Sequence, residues 1–414
     1  MKAKILQSGL LCVAMALLAG TDARAQEVKT NFVEENVPAY ELPDPLVLSN
    51  GRKVRTRRQW TRKRRPEILE IFSQEMYGHV PARPAGEHFR VLSEEKVYDG
   101  LGIRKTVRLY LDAAEQHWFD VLIHLPAGAK GRVPMFAGLN FKGNEATLEE
   151  DVSARSWPYE QILKAGFGVA TAWRDSVEPD GKQFIDPGED ATWFCRDGGV
   201  RAWFHPGGDW GAISAWAWGL SRILDYLETD PAVEARQVAV IGHSRLGKTA
   251  LWAGANDPRF AVVISNCSGC CGAAISRRVF GENFAAIDRA FPHWFTRAFD
   301  KYQFHEDQFP ADQHWLAALA APRPLYIVSA DKDGWADPRG EWLCARNVEP
   351  VYRLFRKRGL SGDRMPSVPA DAEPESVFYD DDGTVGYHIR AGKHALLPTD
   401  WERYLIFARR HFRR

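Results

Sequence analysis

The sequence predicts an α/β fold in which a mainly parallel sheet is flanked by helices on both faces. From about residue 102 onward, short apolar strand patterns alternate with helical patterns, which is typical of parallel sheets. Strand candidates such as 133–141 and 237–242 are continuous apolar runs, as expected for strands that are buried on both faces. A chain of 414 residues, 45% of them hydrophobic, can bury the large core that such a three-layer sandwich requires.

Each element follows from a local pattern. Alternating stretches and one buried-type run predict the first strands, at 103–111, 117–126 and 133–141. Helices are expected at 159–166, 210–230, 246–257 and from about 400, and further strands at 167–174, 237–242, 260–266, 324–330 and 386–390. Residues 361–384 are rich in Asp, Pro and Ser and are predicted to form a loop.

The start of the chain resembles a leader. The stretch "MKAKILQSGLLCVAMALLAGTDARAQ" combines a lysine-containing start, an apolar run and the small-x-small ending Ala23-Arg24-Ala25. It predicts a cleavable signal peptide at 1–25 and export to the periplasm or the medium. No later apolar run reaches the ~20 residues of a membrane span. Residues 26–100 are expected to form an N-terminal wrapping segment with one helix at 65–78, and residues 101–414 the α/β domain.

Charge and cysteine usage exclude several classes of partner. Basic and acidic residues balance at 54 each, and the one basic run, 52–67, lies beside an amphipathic helix, so no nucleic-acid partner is expected. We expect a monomer. Downstream of the leader, the odd number of cysteines leaves at least one thiol unpaired; they are Cys195, Cys267, Cys270, Cys271 and Cys344. Because the "NCSGCCG" stretch lacks a second pair of ligands, we predict buried thiols, no metal and no cofactor.

The stretch "VAVIGHSRLGKTALW" (238–252) places Ser244 between a strand and a helix. This is the arrangement of the nucleophile in α/β-hydrolases, where the helix dipole and the backbone N–H after the serine favour an oxyanion. The stretch departs from G-x-S-x-G because Leu246 stands at the second glycine position and the glycine follows at Gly247. The alternative is a serine that only caps a helix.

A triad in this fold needs an acid on a later strand. The strand 324–330 runs into "DKDGWADPRGEW", which offers Asp331, Asp333, Asp337 and Glu341. Asp337 precedes a proline and is predicted to cap a helix, which leaves Asp331 and Asp333 as candidates.

The triad also needs a histidine in the loop before the last helix. His394 follows a Gly-Lys turn and precedes that helix, whereas His388 falls within a strand, so His394 is the predicted base. His293 and His314 are expected to make local hydrogen bonds.

Several motifs together resemble the glucuronoyl esterases, carbohydrate esterases that cleave the ester between glucuronic acid on xylan and lignin alcohols. They are "GHSRLGK", "NFKGNE", "SGCCGAAISRR", "FGENF", "FPHWF", "DGWADPRGE" and "GYHIRAGKH", and they extend from about residue 135 to the C-terminus. The G-x-S-R-x-G-K motif is complete here and is much rarer than G-x-S alone.

The resemblance implies roles for individual residues. It implies that Arg245 helps to stabilise the oxyanion and that Lys248, Glu282 and Trp335 contact the sugar. Fungal-type members carry the triad acid as Glu in an "ESG" stretch, where this chain has Cys267. The acid then comes from the later strand, as in bacterial-type members, and this is Asp333.

The sequence therefore predicts a serine esterase that acts through Ser244, His394 and Asp333 by way of an acyl-enzyme. Its expected substrate is the ester of (4-O-methyl-)glucuronic acid of glucuronoxylan with lignin alcohols. Two alternatives remain: an acetyl or feruloyl xylan esterase of the same fold, and a catalytically inactive polysaccharide-binding homologue.

Overall fold

The computed structural model describes residues 27–153, 155–181, 199–204 and 207–412. The predicted signal peptide and Cys195 lie outside these ranges.

Within the described ranges, a single ten-stranded sheet forms the centre of the molecule, with its strands in the order β1-β2-β3-β5-β4-β6-β7-β8-β10-β9. The strands are β1 (His88–Val97), β2 (Gly102–Tyr110), β3 (Trp118–Pro126), β4 (Val133–Asn140), β5 (Gly168–Trp173), β6 (Val233–His243), β7 (Val262–Asn266), β8 (Leu325–Ala330), β9 (Val377–Asp380) and β10 (Val385–Arg390). The central strands from β5 to β10 are parallel. Antiparallel strands complete both edges.

Helices precede, connect and follow these strands. They are α1 (Arg57–Gln59), α2 (Arg65–Phe72), α3 (Glu150–Ser153), α4 (Tyr159–Lys164), α5 (Arg174–Val177), α6 (Val200–Phe204), α7 (Ala212–Leu227), α8 (Arg245–Asn256), α9 (Phe284–Ala290), α10 (Gln313–Ala318), α11 (Pro338–Asn347), α12 (Glu349–Leu354) and α13 (Pro398–Phe412). No helix in the described ranges is long and apolar enough to span a bilayer.

The sheet is buried on both faces. Along β6, Val238 and Val240 belong to one apolar core, and Ala239 and Ile241 to the other, because successive side chains of a strand point to opposite faces. Residues of α7 and α8 complete the first core and residues of α4 and α13 the second. The predicted three-layer α/β fold is confirmed.

Two strands escaped prediction. Strand β1 lies inside the predicted wrapping segment and joins the sheet as an edge strand, paired only with β2. Its side chains are mostly exposed, so it lacks the apolar alternation that marks a half-buried strand. Strand β9 lies inside the stretch 361–384, which we predicted to be a loop, and forms the opposite edge. That loop prediction was wrong at these residues.

The predicted helix at 65–78 begins earlier than expected. Helical backbone starts at Arg57 and continues through a wider turn at Trp60–Arg64 and another at Ser73–Tyr77. It ends at Gly78, whose φ of +88° lies in the left-handed region that glycine tolerates.

Candidate active site

Ser244 lies in a sharp turn between β6, which ends at His243, and α8, which begins at Arg245. Its φ of 59° and ψ of −127° are strained for a non-glycine residue, as in the nucleophile turn of α/β-hydrolases.

Glycines make this turn possible. A Cβ on Gly242 would lie 1.8 Å from the carbonyl oxygen of Leu246, so no larger residue fits there. A Cβ on Gly247 would lie 2.9 Å from the Ser268 Cβ. The second glycine therefore permits close packing one position later than in G-x-S-x-G.

His394 is paired with Asp333, the two residues that we predicted to act with Ser244. Its Nδ1 is 2.5 Å from Oδ2 of Asp333, whose side chain is buried, while the histidine side chain is 42% exposed. The ring centroids of His394 and His243 are 4.4 Å apart, which places the imidazole beside the residue that precedes Ser244. Because Asp333 engages Nδ1, Nε2 remains to exchange a proton.

The other carboxylates of this loop have structural contacts. Asp331 is exposed and accepts a hydrogen bond at 2.6 Å from the backbone N–H of Gly392, two residues before the histidine of the pair. Asp337 caps α11 through the N–H of Gly340 at 3.0 Å, as predicted, and contacts Arg278 at 2.7 Å. Between the two candidates left open by the residue pattern, the geometry favours Asp333.

Glu341 and Cys267 lie near the His394–Asp333 pair. Buried Glu341 accepts hydrogen bonds from the Gly269 N–H and the Ser329 hydroxyl, and burial raises its pKa to about 8. Burial also raises the pKa of the Cys267 thiol well above its usual value. A neutral thiol cannot replace the triad carboxylate.

Cys267 also bears on the prediction that this chain holds no metal. Its sulfur and the side-chain atoms of Asp333 and His394 lie within 4.8 Å of one another. A metal would need the Cys267 thiolate, whereas burial keeps this thiol neutral, and Nδ1 of His394 already contacts Asp333.

The three other histidines that the sequence analysis considered have different partners. His388 is buried in β10 and bonds to Asp400 at 2.9 Å. We predicted local hydrogen bonds for His314 and His293, and both predictions were wrong. His314 contacts the carbonyl of Pro43, 271 positions away, and His293 contacts Asp180, 113 positions away. Tertiary packing supplies these partners.

Asp180, which the sequence analysis missed, organises the surroundings of Arg245. Its buried carboxylate lies 2.5 Å from a terminal nitrogen of Arg245 and from one of Arg174. It also contacts Nε2 of His293 at 2.8 Å and accepts from Nε1 of Trp294 at 2.9 Å. Burial favours a higher pKa for Asp180, but the His293 hydrogen bond and the arginine charges hold that pKa below its usual range.

Aromatic rings support the same guanidinium. The Arg245 guanidinium carbon lies 4.9 Å from the centroid of Phe291 and 4.5 Å from that of Trp294. Its Nε finds no hydrogen-bond partner among the residues that the structure describes. The carboxylate of Asp180 and the two rings therefore fix the position of the guanidinium one residue after the serine.

Lys248, Glu282 and Trp335 lie close together. Lys248 is buried, donates to the Ser268 carbonyl at 2.6 Å and lies 3.9 Å from a Glu282 oxygen. The backbone N–H of Glu282 donates to the Trp335 carbonyl at 3.0 Å. Burial raises the pKa of Glu282, although Lys248 and a hydrogen bond with the Trp335 side chain oppose this shift. The group combines a cation, a hydrogen-bonding carboxyl and an indole that is 46% exposed.

Comparison with known proteins assigns the chain to a family. The sequence model described as "Glucuronyl esterase, fungi" matches residues 202–355, which contain Ser244 and Asp333. The chain is similar to the solved glucuronoyl esterase from Solibacter usitatus, with 42% identity, coverage of 91% of this chain and 100% of that one, and a TM-score of 0.82. The chain belongs to the glucuronoyl esterase family. It is a carboxylic ester hydrolase with the α/β-hydrolase fold.

The chain is also similar to two further proteins. The carbohydrate esterase MZ0003 from an unknown prokaryotic organism is 42% identical, over 94% of this chain and 94% of that protein. A variant of the glucuronoyl esterase from Sporotrichum thermophile was solved in complex with methyl 4-O-methyl-β-D-glucopyranuronate. It is 26% identical over 76% of this chain and 77% of that one, with a TM-score of 0.57.

Proposed function

We propose that this member of the glucuronoyl esterase family hydrolyses the ester that joins (4-O-methyl-)glucuronic acid of glucuronoxylan to lignin alcohols. The observation that carries the proposal is the 2.5 Å contact between His394 Nδ1 and buried Asp333, next to the strained turn of Ser244. Nearby Lys248, Glu282 and Trp335 supply groups that suit a uronic acid ring.

In the proposed reaction, His394 accepts the proton of the Ser244 hydroxyl while its Oγ attacks the ester carbonyl carbon. Asp333 accepts the Nδ1–H hydrogen bond and stabilises the imidazolium. The alcohol oxygen takes the proton from His394 and leaves, and the uronate remains bound to the serine as an acyl-enzyme. Water, deprotonated by the same histidine, then attacks the acyl carbon, and the uronic acid leaves as the histidine returns the proton to the Ser244 oxygen.

Negative charge develops on the carbonyl oxygen in both steps. Arg245 follows the nucleophile directly and offers a charged donor whose position is set by Asp180. The backbone N–H of the same residue lies at the N-terminus of α8, where the helix dipole favours an anion. A donor that is already oriented costs no reorganisation when the charge appears.

Recognition of the uronate falls to a donor, an acceptor and an aromatic face. Lys248 donates to ring hydroxyls, Glu282 accepts from them, and the exposed indole of Trp335 covers an apolar face of the pyranose. A simple acetyl ester needs none of these contacts. The predicted leader agrees with a polymeric substrate outside the cytoplasm, and we propose export to the periplasm or the medium and action as a monomer.

A pair of substrates tests the proposal. We expect a higher kcat/KM for methyl or benzyl glucuronate than for p-nitrophenyl acetate, and Ser244→Ala should abolish turnover of both. A preference for acetyl or feruloyl esters would instead identify a different xylan esterase. Binding of glucuronoxylan without turnover of any ester would identify an inactive binding homologue.

Removal of the Lys248 side chain tests sugar recognition separately from ester cleavage. Lys248→Ala should lower kcat/KM for the glucuronate ester and leave acetate cleavage nearly unchanged, because only the uronate uses the ammonium group. Lys248→Met retains the buried stem and controls for packing. Equal losses on both substrates would contradict a role in sugar recognition.

A further inference from the structure

Two aromatic rings are exposed beside the proposed uronate site. Phe32 is 52% exposed and Trp335 46% exposed, and their ring centroids are 6.3 Å apart with an interplanar angle of 29°. Phe280 and Phe32 form a T-shaped pair whose ring centroids are also 6.3 Å apart. Large apolar side chains that are adjacent and exposed to solvent commonly mark a binding surface.

The chain holds Phe32 in place on both sides. The preceding carbonyl, that of Asn31, accepts a hydrogen bond from Gly281 N–H at 2.7 Å. On the other side, Glu34 forms an ion pair with the buried Arg278 at 2.8 Å. The ring is therefore presented by a tethered backbone, which lowers the entropic cost of using it for binding.

The loops that contact Phe32 are those that carry Glu282 and Trp335. Gly281 precedes Glu282, and a Cβ on this glycine would lie 2.4 Å from the Gly334 carbonyl oxygen, so the two loops touch. A Cβ on Gly334 would lie 3.3 Å from the Phe32 ring. The N-terminal segment thus forms an outer layer over the loops that carry Glu282 and Trp335.

We propose that Phe32 extends the aromatic surface of Trp335 into a platform, on which Trp335 contacts the esterified uronate and Phe32 binds the neighbouring pyranose unit of the polysaccharide main chain. The proposal rests on the proposed function. Pyranose rings present apolar C–H faces, which pack against aromatic rings while their hydroxyls stay in water. An aromatic pair with both rings about half exposed offers a surface of this kind.

The position of the platform favours the main chain over the alcohol. The ester alcohol leaves from the carbonyl carbon, beside Ser244 and His394. Phe32 contacts instead the loops of Glu282 and Trp335, which are the proposed uronate contacts. The main-chain sugar is bonded to the anomeric carbon of the uronate, away from the ester. In this arrangement that sugar lies over the loops of Glu282 and Trp335.

Two methyl esters test the platform: that of 4-O-methylglucuronic acid, and that of the same uronate attached to a xylo-oligosaccharide. Phe32→Ala should lower kcat/KM for the oligosaccharide ester about three- to tenfold, mainly through KM. The loss on the monosaccharide ester should be several times smaller. Phe32→Trp should restore the oligosaccharide ester, and Val33→Ala, which changes the exposed neighbour, should leave both rates unchanged.

Other outcomes overturn the platform. Equal losses on both esters would mean that Phe32 only supports Trp335. A change in the benzyl-to-methyl ratio on the monosaccharide, with no oligosaccharide effect, would assign Phe32 to the alcohol.

Calorimetric binding of the unesterified oligosaccharide separates this proposal from the proposed function. If no glucuronate ester is hydrolysed but Phe32→Ala weakens this binding, the platform stands and the proposed function fails. If hydrolysis is normal and the variant changes neither binding nor the oligosaccharide rate, the platform fails and the proposed function stands.

Discussion

For single residues, the neighbours determine which of several similar groups suits a chemical role. Asp333 is buried against His394, whereas Asp331, two residues earlier, is exposed and holds a backbone N–H. Glu341 has a pKa raised to about 8 by burial and is mostly protonated at neutral pH. Of these three carboxyls, only Asp333 is in a position to orient the imidazole.

Asp333→Asn tests that assignment. Because the asparagine amide can donate to Nδ1, it favours the wrong tautomer of the imidazole, and it cannot stabilise the imidazolium; kcat for a glucuronate ester should therefore fall by about 10³- to 10⁴-fold. Cys267→Ala should change kcat far less, since the thiol is neutral. Near-normal turnover in Asp333→Asn would transfer the role to Asp331 or to another group.

Asp180 is expected to act through Arg245. Asp180→Asn keeps the size of the side chain but removes the charge that holds the guanidinium at 2.5 Å. We expect kcat to fall about 10- to 100-fold on both glucuronate and acetate esters, with little change in KM, because oxyanion stabilisation serves the transition state. Asp175→Asn is the matched control: it removes a carboxylate beside Arg174 but keeps an oxygen that accepts from the Asp180 backbone N–H, and it should retain activity. A retained kcat in Asp180→Asn would show that the carboxylate only supports folding.

Among the elements, the turn between β6 and α8 depends most strictly on sequence. Ser244 is strained, and the following helix passes so close to the strand end that only glycine fits at 242. Strain of this kind persists only where the surrounding structure holds it. Here the backbone N–H of Ser244 bonds to the Asn266 carbonyl of β7 at 2.9 Å.

Gly242→Ala should therefore destabilise the protein by at least about 3 kcal/mol, because the added methyl meets backbone rather than a flexible side chain. Gly128→Ala, in an exposed loop with open space around it, should change stability by less than about 0.5 kcal/mol. Urea unfolding followed by circular dichroism measures both. Equal stability of the two variants would contradict the tight turn.

At the scale of the whole molecule, the interior encloses a histidine that stays neutral in the folded protein. His124 lies on β3, fully buried, with its ring centroid 3.9 Å from that of Tyr159. Burial, assisted by the charge of Arg104, lowers its pKa from 6.5 to about 3. The sheet thus contains an imidazole that resists protonation.

This burial predicts sensitivity to acid. Between about pH 3 and 6.5 the unfolded chain binds a proton at His124 and the folded chain does not, so stability is lost as pH falls through this window. The slope per histidine is at most about 1.4 kcal/mol per pH unit. His124→Phe keeps the ring contact and should reduce the difference in unfolding free energy between pH 5 and pH 8. An unchanged difference would mean that other groups cause the acid sensitivity.

The order of residues along the chain and their local pattern were sufficient to predict much of the fold and three residues of the site. The parallel strands and their connecting helices follow from hydrophobic periodicity, because their burial requires apolar side chains at regular spacing. Ser244, Asp333 and His394 follow from their places after β6, after β8 and before α13. The edge strands β1 and β9 do not follow, because an exposed edge needs no apolar pattern.

Contacts between residues far apart in the sequence could not be predicted from local pattern and are seen only in the folded structure. Asp180 meets Arg245 across 65 positions and Trp294 across 114, and no local spacing marks such a meeting. Phe32 reaches Trp335 because the N-terminal segment crosses two loops. Hydrophobic periodicity in the sequence indicates which side chains are buried, and short motifs indicate local turns. The partner of a buried charge or of an exposed ring depends on how the loops meet at the end of the sheet.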